Sequence, residues 1–270
     1  MTSVGIAVGA VKKLERIFEA EETQAFAESA AEIFTRNRRL SAGASAMFFN
    51  ELLEAAEERR VIAAILSAYV ASPAYREMWT HLDRPALAAI PLRMCMLRAV
   101  DVAHVPSHVP FHQDVAFMTE NFPSMNCWVA LDDCGPRFGM PSLEVVAAPV
   151  GRRLKIVPYE QRQFVYHRNI ELDLQTLQQH YSAEAFWHPD FRSGDCIIFD
   201  QYVPHRTYLE PEMRGVRRSM EIRICPASAL PVAQPWTPKV EVSNVGGTHE
   251  LVLIDDAGTR RLLSVVETEA

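Results

Sequence analysis

The sequence predicts a mainly β protein, an antiparallel sandwich or jelly roll, with flanking helices gathered in an N-terminal layer. Three observations predict it. Apolar side chains recur at helical intervals over residues 14–70; beyond Pro85 they form short runs bounded by Pro, Gly, Asp and Asn; and few helical periods separate those runs. Strands without intervening helices do not make the strand–helix–strand units of a parallel sheet.

In the helical part, Leu14, Ile17, Phe18, Ala25 and Phe26 share one spacing pattern, and Ile62, Ile65, Leu66 and Tyr69 another. Ser72-Pro73 reads as an N-cap followed by proline at the first helical position, opening a short helix through Tyr75, Met78 and Trp79. The expected strands are residues 92–100, 115–118, 126–131, 143–147, 196–199 and 217–225. Residues 170–186, with Leu172, Leu174, Leu177 and Tyr181, read as a helical insertion over one mouth of the β core. Beyond Pro235, residues 240–242 and 251–254 flank Gly246-Gly247 as a hairpin appended to that core. Residues 1–270 are expected to form a single domain: a helical part at about 10–84, a jelly-roll core at 85–230 and the hairpin at 231–270.

Composition narrows the function classes. The formal charge is -7 and the arginines are scattered, which argues against a nucleic-acid partner. The apolar run 4–11 is too short to span a bilayer, and Lys12 and Lys13 follow it where an export signal carries its charges in front. The expectation is a cytoplasmic protein with no membrane partner. Cys95, Cys127, Cys134, Cys196 and Cys225 are odd in number and contain no Cys-x-x-Cys pair, so they are read as reduced packing residues.

The chemistry centres on residues 111–117. In a strand, His112 and Asp114 project together while Gln113 turns away. Two ligands on one face need a third, and His205 follows a turn at Gly194-Asp195, a buried strand and a short loop. Two histidines and one carboxylate make the facial set that binds Fe(II) and leaves positions open. The second His-x-Asp, His188-Pro189-Asp190, contains a proline and reads as turn chemistry. His104, His108 and His112 have helical spacing, but Pro106 and Pro110 preclude that helix.

Residues 217–224 as a strand put Arg217, Ser219, Glu221 and Arg223 on one face and Arg218, Met220, Ile222 and Ile224 on the other. If the polar face lines a cavity, Arg217 and Ser219 suit a carboxylate, by a planar fork and a hydroxyl. The alternative is a solvated edge strand with a salt-bridge ladder. Two histidines and an aspartate leave Fe(II) with about +1, so a dianionic cosubstrate brings surplus charge that a cation offsets.

Together, His112-x-Asp114, the run from Gly194-Asp195 into an apolar strand, His205 and Arg217-x-Ser219 resemble the phytanoyl-CoA dioxygenase-like (PhyH) family of Fe(II)/2-oxoglutarate-dependent oxygenases, over about residues 92–224. The resemblance implies a cupin-like double-stranded β-helix with iron at its mouth, held by His112, Asp114 and His205. It implies 2-oxoglutarate on the metal with its far carboxylate on Arg217, O2 as oxidant, and ascorbate as a candidate reductant. Gln113, Trp128 and Thr207 would line the cosubstrate pocket, and Arg218 replaces Arg217 if the strand register slips by one.

Residues 148–152 (Ala-Pro-Val-Gly-Arg) stand where many members carry Pro-Gly-Ser-His. Residues 267–270 are no peroxisomal address and nothing suggests a coenzyme A cradle, so phytanoyl-CoA is not the expected substrate. Asp114 sets the chain apart from the family's halogenases, where a small residue vacates that position. The resulting expectation is a dioxygenase that hydroxylates or otherwise oxidises a small molecule, of specialised-metabolite type, and releases succinate and CO2. Residues 119–124 and the insertion would shape its substrate side; Arg137, Arg152 and His108 are either substrate contacts or solvated loop residues. Two other readings stay open: a cupin-type metal-dependent hydrolase or isomerase using the triad as a Lewis-acid site, and a non-enzymatic ligand-binding β-sandwich whose histidines are packing residues. The oligomeric state is not legible in the sequence.

Overall fold

The computed structural model describes residues 11–36, 47–48, 56–82, 86–103, 108–116, 123–158, 170–230 and 236–267. Its helical layer holds α1 (Ala20–Arg36), α2 (Ala56–Ala71) and α3 (Pro73–His81). Their apolar faces bury Phe26, Leu66, Tyr69, Val70, Tyr75 and Met78, as the helical spacing predicts. Ser72 joins α2 to α3: its hydroxyl donates to the Tyr69 carbonyl at 2.6 Å and accepts from the Tyr75 N–H at 3.4 Å. This is the expected cap before Pro73.

Twelve of the thirteen described strands follow these definitions: β1 (Val11–Leu14), β3 (Leu87–Pro91), β4 (Met96–Asp101), β5 (Met125–Ala130), β6 (Ser142–Val146), β7 (Phe186–Trp187), β8 (Cys196–Asp200), β9 (His205–Tyr208), β10 (Val216–Pro226), β11 (Lys239–Val245), β12 (Thr248–Ile254) and β13 (Arg260–Glu267); β2 is the two-residue Met47–Phe48. The large sheet runs β1-β8-β5-β10-β3-β11-β12-β13, with β4 also beside β10 and β2 on β4; the small sheet runs β7-β6-β9. All named pairs are antiparallel, and neither sheet closes into a barrel. The result is the jelly-roll sandwich with an N-terminal helical layer.

Strand alternation distributes the side chains. Cys127 and Val129 of β5, Cys196 and Ile198 of β8, and Met220, Ile222 and Ile224 of β10 pack under the helices. Trp128, Ala130, Ile197 and Phe199 point the other way, into the space between the sheets, and meet Leu143 and Val145 of the small sheet.

Five expectations change. Residues 92–94 form a 3-10 turn and β4 begins only at Met96, so the strand expected over 92–100 is shorter. Leu14, Ile17 and Phe18 are not helical: α1 starts at Ala20, and β1 pairs with β8, with Leu14 opposite Cys196, because covering an open strand edge satisfies backbone groups that a four-residue helix leaves unpaired. Residues 114–116 form a 3-10 turn instead of a strand, and residues 117 and 118 lie outside the described residues, as does most of the loop 119–124. The C-terminal hairpin is continuous with the main sheet. β11 pairs with β3, placing Val240 opposite Ile90, and Val240, Val242, Leu251 and Leu253 belong to the main core, with β13 as a further strand. The insertion contains α4 (Leu174–His180), capped by Asp173, which accepts from Gln175 and Thr176 N–H groups. Its Leu177 packs with Phe111, Val146 and Leu172 on the outer face of the small sheet, not over the mouth.

The five cysteines are free and buried. Among the described residues no helix is long and apolar enough to cross a membrane.

Candidate metal centre and its neighbouring arginine

His112 and His205 meet through their backbones. The His112 N–H donates to the His205 carbonyl at 3.0 Å, and the His205 N–H returns a bond of 2.9 Å, so the pair extends the small sheet by one antiparallel bridge. Direct opposition brings the rings side by side, 4.1 Å between centroids. Phe111 consequently faces outward, against Phe186.

Asp114 arrives by a turn. Val115 N–H is bonded to the Gln201 carbonyl and Ala116 N–H to Gln113, which bends the chain back over the histidines. The carboxylate therefore joins His112 as pleating would require, though a 3-10 turn does it. One donor atom from each of His112, Asp114 and His205 lies within 4.8 Å of the others, and all three residues are buried. Asp114 Oδ1 is 3.8 Å from His112 Nε2 and 3.6 Å from His205 Nε2. The Nδ1 atoms lie 2.9 Å from the Pro110 carbonyl and 3.0 Å from the Val203 carbonyl. A carbonyl only accepts, so each Nδ1 carries the proton and each Nε2 turns a lone pair toward Asp114. Backbone-pinned imidazoles of this kind fit a metal ion.

The charges are set by burial and neighbours. Burial alone would raise the Asp114 pKa, but the Arg223 guanidinium, then His205, hold it well below the usual carboxylate range. Burial, reinforced by His205, pushes the His112 pKa down to about 3. Between an unfolded value near 6.5 and that value, the unfolded chain binds a proton that the folded one refuses. Stability of the metal-free protein is thus expected to fall by about 1.4 kcal/mol per pH unit below pH ~6.5, with the Asp114 contribution lost at still lower pH. Denaturation midpoints of chelator-treated protein from pH 7 to 4.5 check this; a His112→Phe variant should have a flatter profile, and a flat wild-type profile contradicts the assignment.

On β10 the predicted alternation is present, with Arg217, Ser219, Glu221 and Arg223 all buried between the sheets. A solvated edge strand is thereby ruled out. Arg217 donates from Nη1 to the Ser219 hydroxyl, lies over the Trp128 ring at 5.0 Å, and leaves Nε without a partner. Among the described residues no carboxylate pairs with it, and burial lowers its pKa to about 10. Arg218 faces the helices and is already engaged: Asp132 accepts from its backbone N–H (2.7 Å) and its Nε (2.9 Å), and the Ala27 carbonyl accepts from Nη1 at 2.8 Å. A buried cation without an acid partner is costly, so Arg217 is suited to an anion brought from outside.

The remaining residues divide. Trp128 stacks between Arg217 and Phe191, whose ring is 4.8 Å away. Thr207 lies on the His205 face of β9, and its hydroxyl accepts from Val109 N–H at 3.0 Å. Gln113 is buried and turned away; its amide donates to the Arg152 and Tyr202 carbonyls (2.9 and 2.5 Å) and accepts from Leu154 N–H at 2.7 Å. Its polar atoms are thus used in holding the loop at 152–154. Arg137 and Arg152 are exposed, and His108 Nε2 bonds the Asp101 carbonyl at 2.9 Å. Asp190 accepts from Arg137 N–H at 2.9 Å and sits against Gly135, where a Cβ would meet its Oδ1 at 2.5 Å, so the second His-x-Asp serves a turn. A cavity of about 710 Å³ is lined by Phe111, Lys155, Leu172 and Arg206 among others and does not include the triad. Its wall combines outward-facing residues of the small sheet with Thr207, and none of the three clustered donors lines it.

Sequence reasoning missed Asn126 and Arg98 and saw Arg223 only as one polar residue of a strand face. Asn126 and Arg223 both donate to Asp114, and Arg98 donates to Glu221 at 3.1 Å. The polar face of β10 was the available signal for Arg223; no pattern marks Asn126.

A family model described as phytanoyl-CoA dioxygenase (PhyH) matches residues 10–209, a span that contains His112, Asp114 and His205. The chain belongs to the phytanoyl-CoA dioxygenase family. Arg217 and Ser219 of this PhyH chain lie beyond the matched span. Among solved structures, AviO1 from Streptomyces viridochromogenes Tue57 is similar at 15% identity and TM-score 0.51, covering 83% of this chain and 93% of its own. EvdO2 from Micromonospora carbonacea var. aurantiaca, complexed with 2-oxoglutarate, is similar at 14% identity and TM-score 0.53, covering 84% and 92%. HygX from Streptomyces hygroscopicus, with nickel and 2-oxoglutarate bound, is similar at 13% identity and TM-score 0.50, covering 82% and 84%. These likenesses show a shared fold. No curated protein matches in sequence.

Proposed function

We propose that this PhyH-family chain is a cytoplasmic Fe(II)/2-oxoglutarate-dependent dioxygenase that hydroxylates or otherwise oxidises a small molecule of specialised-metabolite type, releasing succinate and CO2. His112, Asp114 and His205 hold the iron; Arg217 and Ser219 anchor the far carboxylate of 2-oxoglutarate; O2 is the oxidant, and ascorbate is the reductant that keeps iron ferrous. When bound, iron and its cosubstrate supply the attack on an unactivated C–H bond, which no side chain can perform.

One observation carries the reading: a buried His-Asp-His cluster shares its compartment with a buried arginine that has no acid partner among the described residues. Asn126, which donates to Asp114, and Trp128, which lies under Arg217, are two residues apart on one face of β5. That spacing is roughly 6.6 Å, the reach of a short dicarboxylate. Arg217 orients the cosubstrate and offsets the charge left over after iron takes one carboxylate and two neutral imidazoles. Trp128, Phe191 and Phe199 exclude water from the same side, with Phe199 4.6 Å from the His205 ring. Thr207 borders the pocket, and Gln113 contributes through the loop it holds. A Lewis-acid hydrolase or a simple binding sandwich gives Arg217 no comparable partner.

Anaerobic titration with Fe(II) and 2-oxoglutarate should develop the metal-to-ligand charge-transfer band of the chelate. No band at saturating metal would sink the proposal.

A further inference from the structure

Arg223 is buried on the inner face of β10, and its guanidinium grips Asp114 with two bonds: Nε to Oδ2 at 2.9 Å and Nη2 to Oδ1 at 3.0 Å. Asn126 Nδ2 adds a third, to Oδ2 at 3.1 Å. Oδ2 thus receives two donors, and Oδ1, the oxygen near both histidine Nε2 atoms, receives one. Arg223 is itself fixed: Nη1 donates to the Met94 carbonyl and Nη2 to Glu221 Oε2 at 2.9 Å, and Glu221 is tied to Arg98. Asp114, Arg223, Glu221 and Arg98 form a buried row of alternating charge.

A carboxylate free to rotate can chelate through both oxygens, which would consume a position needed by the cosubstrate or dioxygen. We propose that Arg223, assisted by Asn126, is a positioning residue that makes Asp114 a one-oxygen ligand, with Oδ1 toward the metal and Oδ2 withheld, and offsets its charge beside a dianionic cosubstrate. This rests on the triad being the metal site. The fork specifies the in-plane orientation of the carboxylate, which lysine could not do, and the amide of Asn126 closes the remaining side. Removing Arg223 leaves the row with a net negative charge next to 2-oxoglutarate and lets Asp114 turn.

The test uses the full chain loaded anaerobically with Fe(II) and titrated with 2-oxoglutarate. Arg223→Gln should raise the 2-oxoglutarate Kd at least tenfold, within the 10–100-fold range of outer ligand-orienting groups. It should also move the charge-transfer band to longer wavelength, because an unneutralised Asp114 donates more strongly to iron. Asn126→Ala should shift both readouts the same way by a smaller amount, and it decides the matter if the Arg223 variant does not fold. Arg223→Lys, which keeps the charge but not the fork, should fall between wild type and Arg223→Gln. Loss of packing alone would lower stability and leave the band of the loaded fraction in place. Metal-loaded variants with the wild-type band and Kd overturn the role of Arg223. A wild-type protein with no band overturns the metal site and this inference with it.

Discussion

His205→Ala and Asp114→Asn should abolish Fe(II)-dependent succinate formation from 2-oxoglutarate, in both substrate-coupled and uncoupled turnover. Each removes one of three donors that lie within 4.8 Å of one another. The loss should exceed the 10–100-fold typical of outer-shell changes, so about 100-fold is its lower bound. Asparagine is the informative replacement at 114, because it keeps the shape against Arg223 and Asn126. Alanine there removes the Asp114 half of the Arg223 guanidinium's partners and leaves it Glu221 and the Met94 carbonyl. Breaking such a buried pair costs about 3–5 kcal/mol of stability. Asp114→Ala should therefore lose both stability and metal, while Asp114→Asn loses chiefly metal. The checks are succinate quantitation, iron content after anaerobic reconstitution, and a denaturation curve for each variant. Full turnover in His205→Ala or Asp114→Asn would dismiss the triad.

Arg217→Leu should have the second largest effect, and its signature is a split between binding and stability. A buried charge that meets an anion only on binding contributes about 2–5 kcal/mol to that binding, roughly 30- to several-thousand-fold in Kd. The 2-oxoglutarate Kd should rise by that factor while metal loading persists, since Arg217 contacts Ser219 and Trp128 and none of the donor cluster. Stability without cosubstrate should stay level or increase, because the variant removes a buried cation that has no acid partner among the described residues. Arg218→Leu is the control one residue away. It breaks the pair with Asp132 on the helix side and should cost stability without touching 2-oxoglutarate affinity. Calorimetric titration of the two variants separates the roles; cosubstrate affinity retained in Arg217→Leu and lost in Arg218→Leu would reverse them.

Much of the candidate site was legible before folding because its residues sit in strongly patterned surroundings. The alternation along 217–224 placed four polar residues on one face, and all four are buried together. The apolar setting of His112 separated it from His188, whose neighbour Asp190 serves the turn at Gly135. Pro106 and Pro110 removed the helical histidine cluster, and His108 bonds a backbone carbonyl instead. Asp114 was grouped with His112 for a reason that did not hold locally, since a 3-10 turn does what the pleat was expected to do. The outcome survived because a turn closed by Gln201 and Gln113 carbonyls also brings residue 114 back toward 112.

Periodicity reports which face of a segment avoids water, and that was enough for the helical layer, the cap at Ser72, the two faces of β10, and the jelly-roll class. It carries no information about which partner each face meets. Long-range pairing decided the rest: β1 covering β8, the C-terminal strands entering the main core through β3, and α4 settling on the outer face of the small sheet. The same holds for Arg223 and Asp114, 109 residues apart, and for the pairing of Arg218 with Asp132, 86 residues away, which leaves Arg217 as its neighbour without an acid partner among the described residues. A buried charge acquires its role from the group that chain register sets opposite it, and only the assembled sheets set that register.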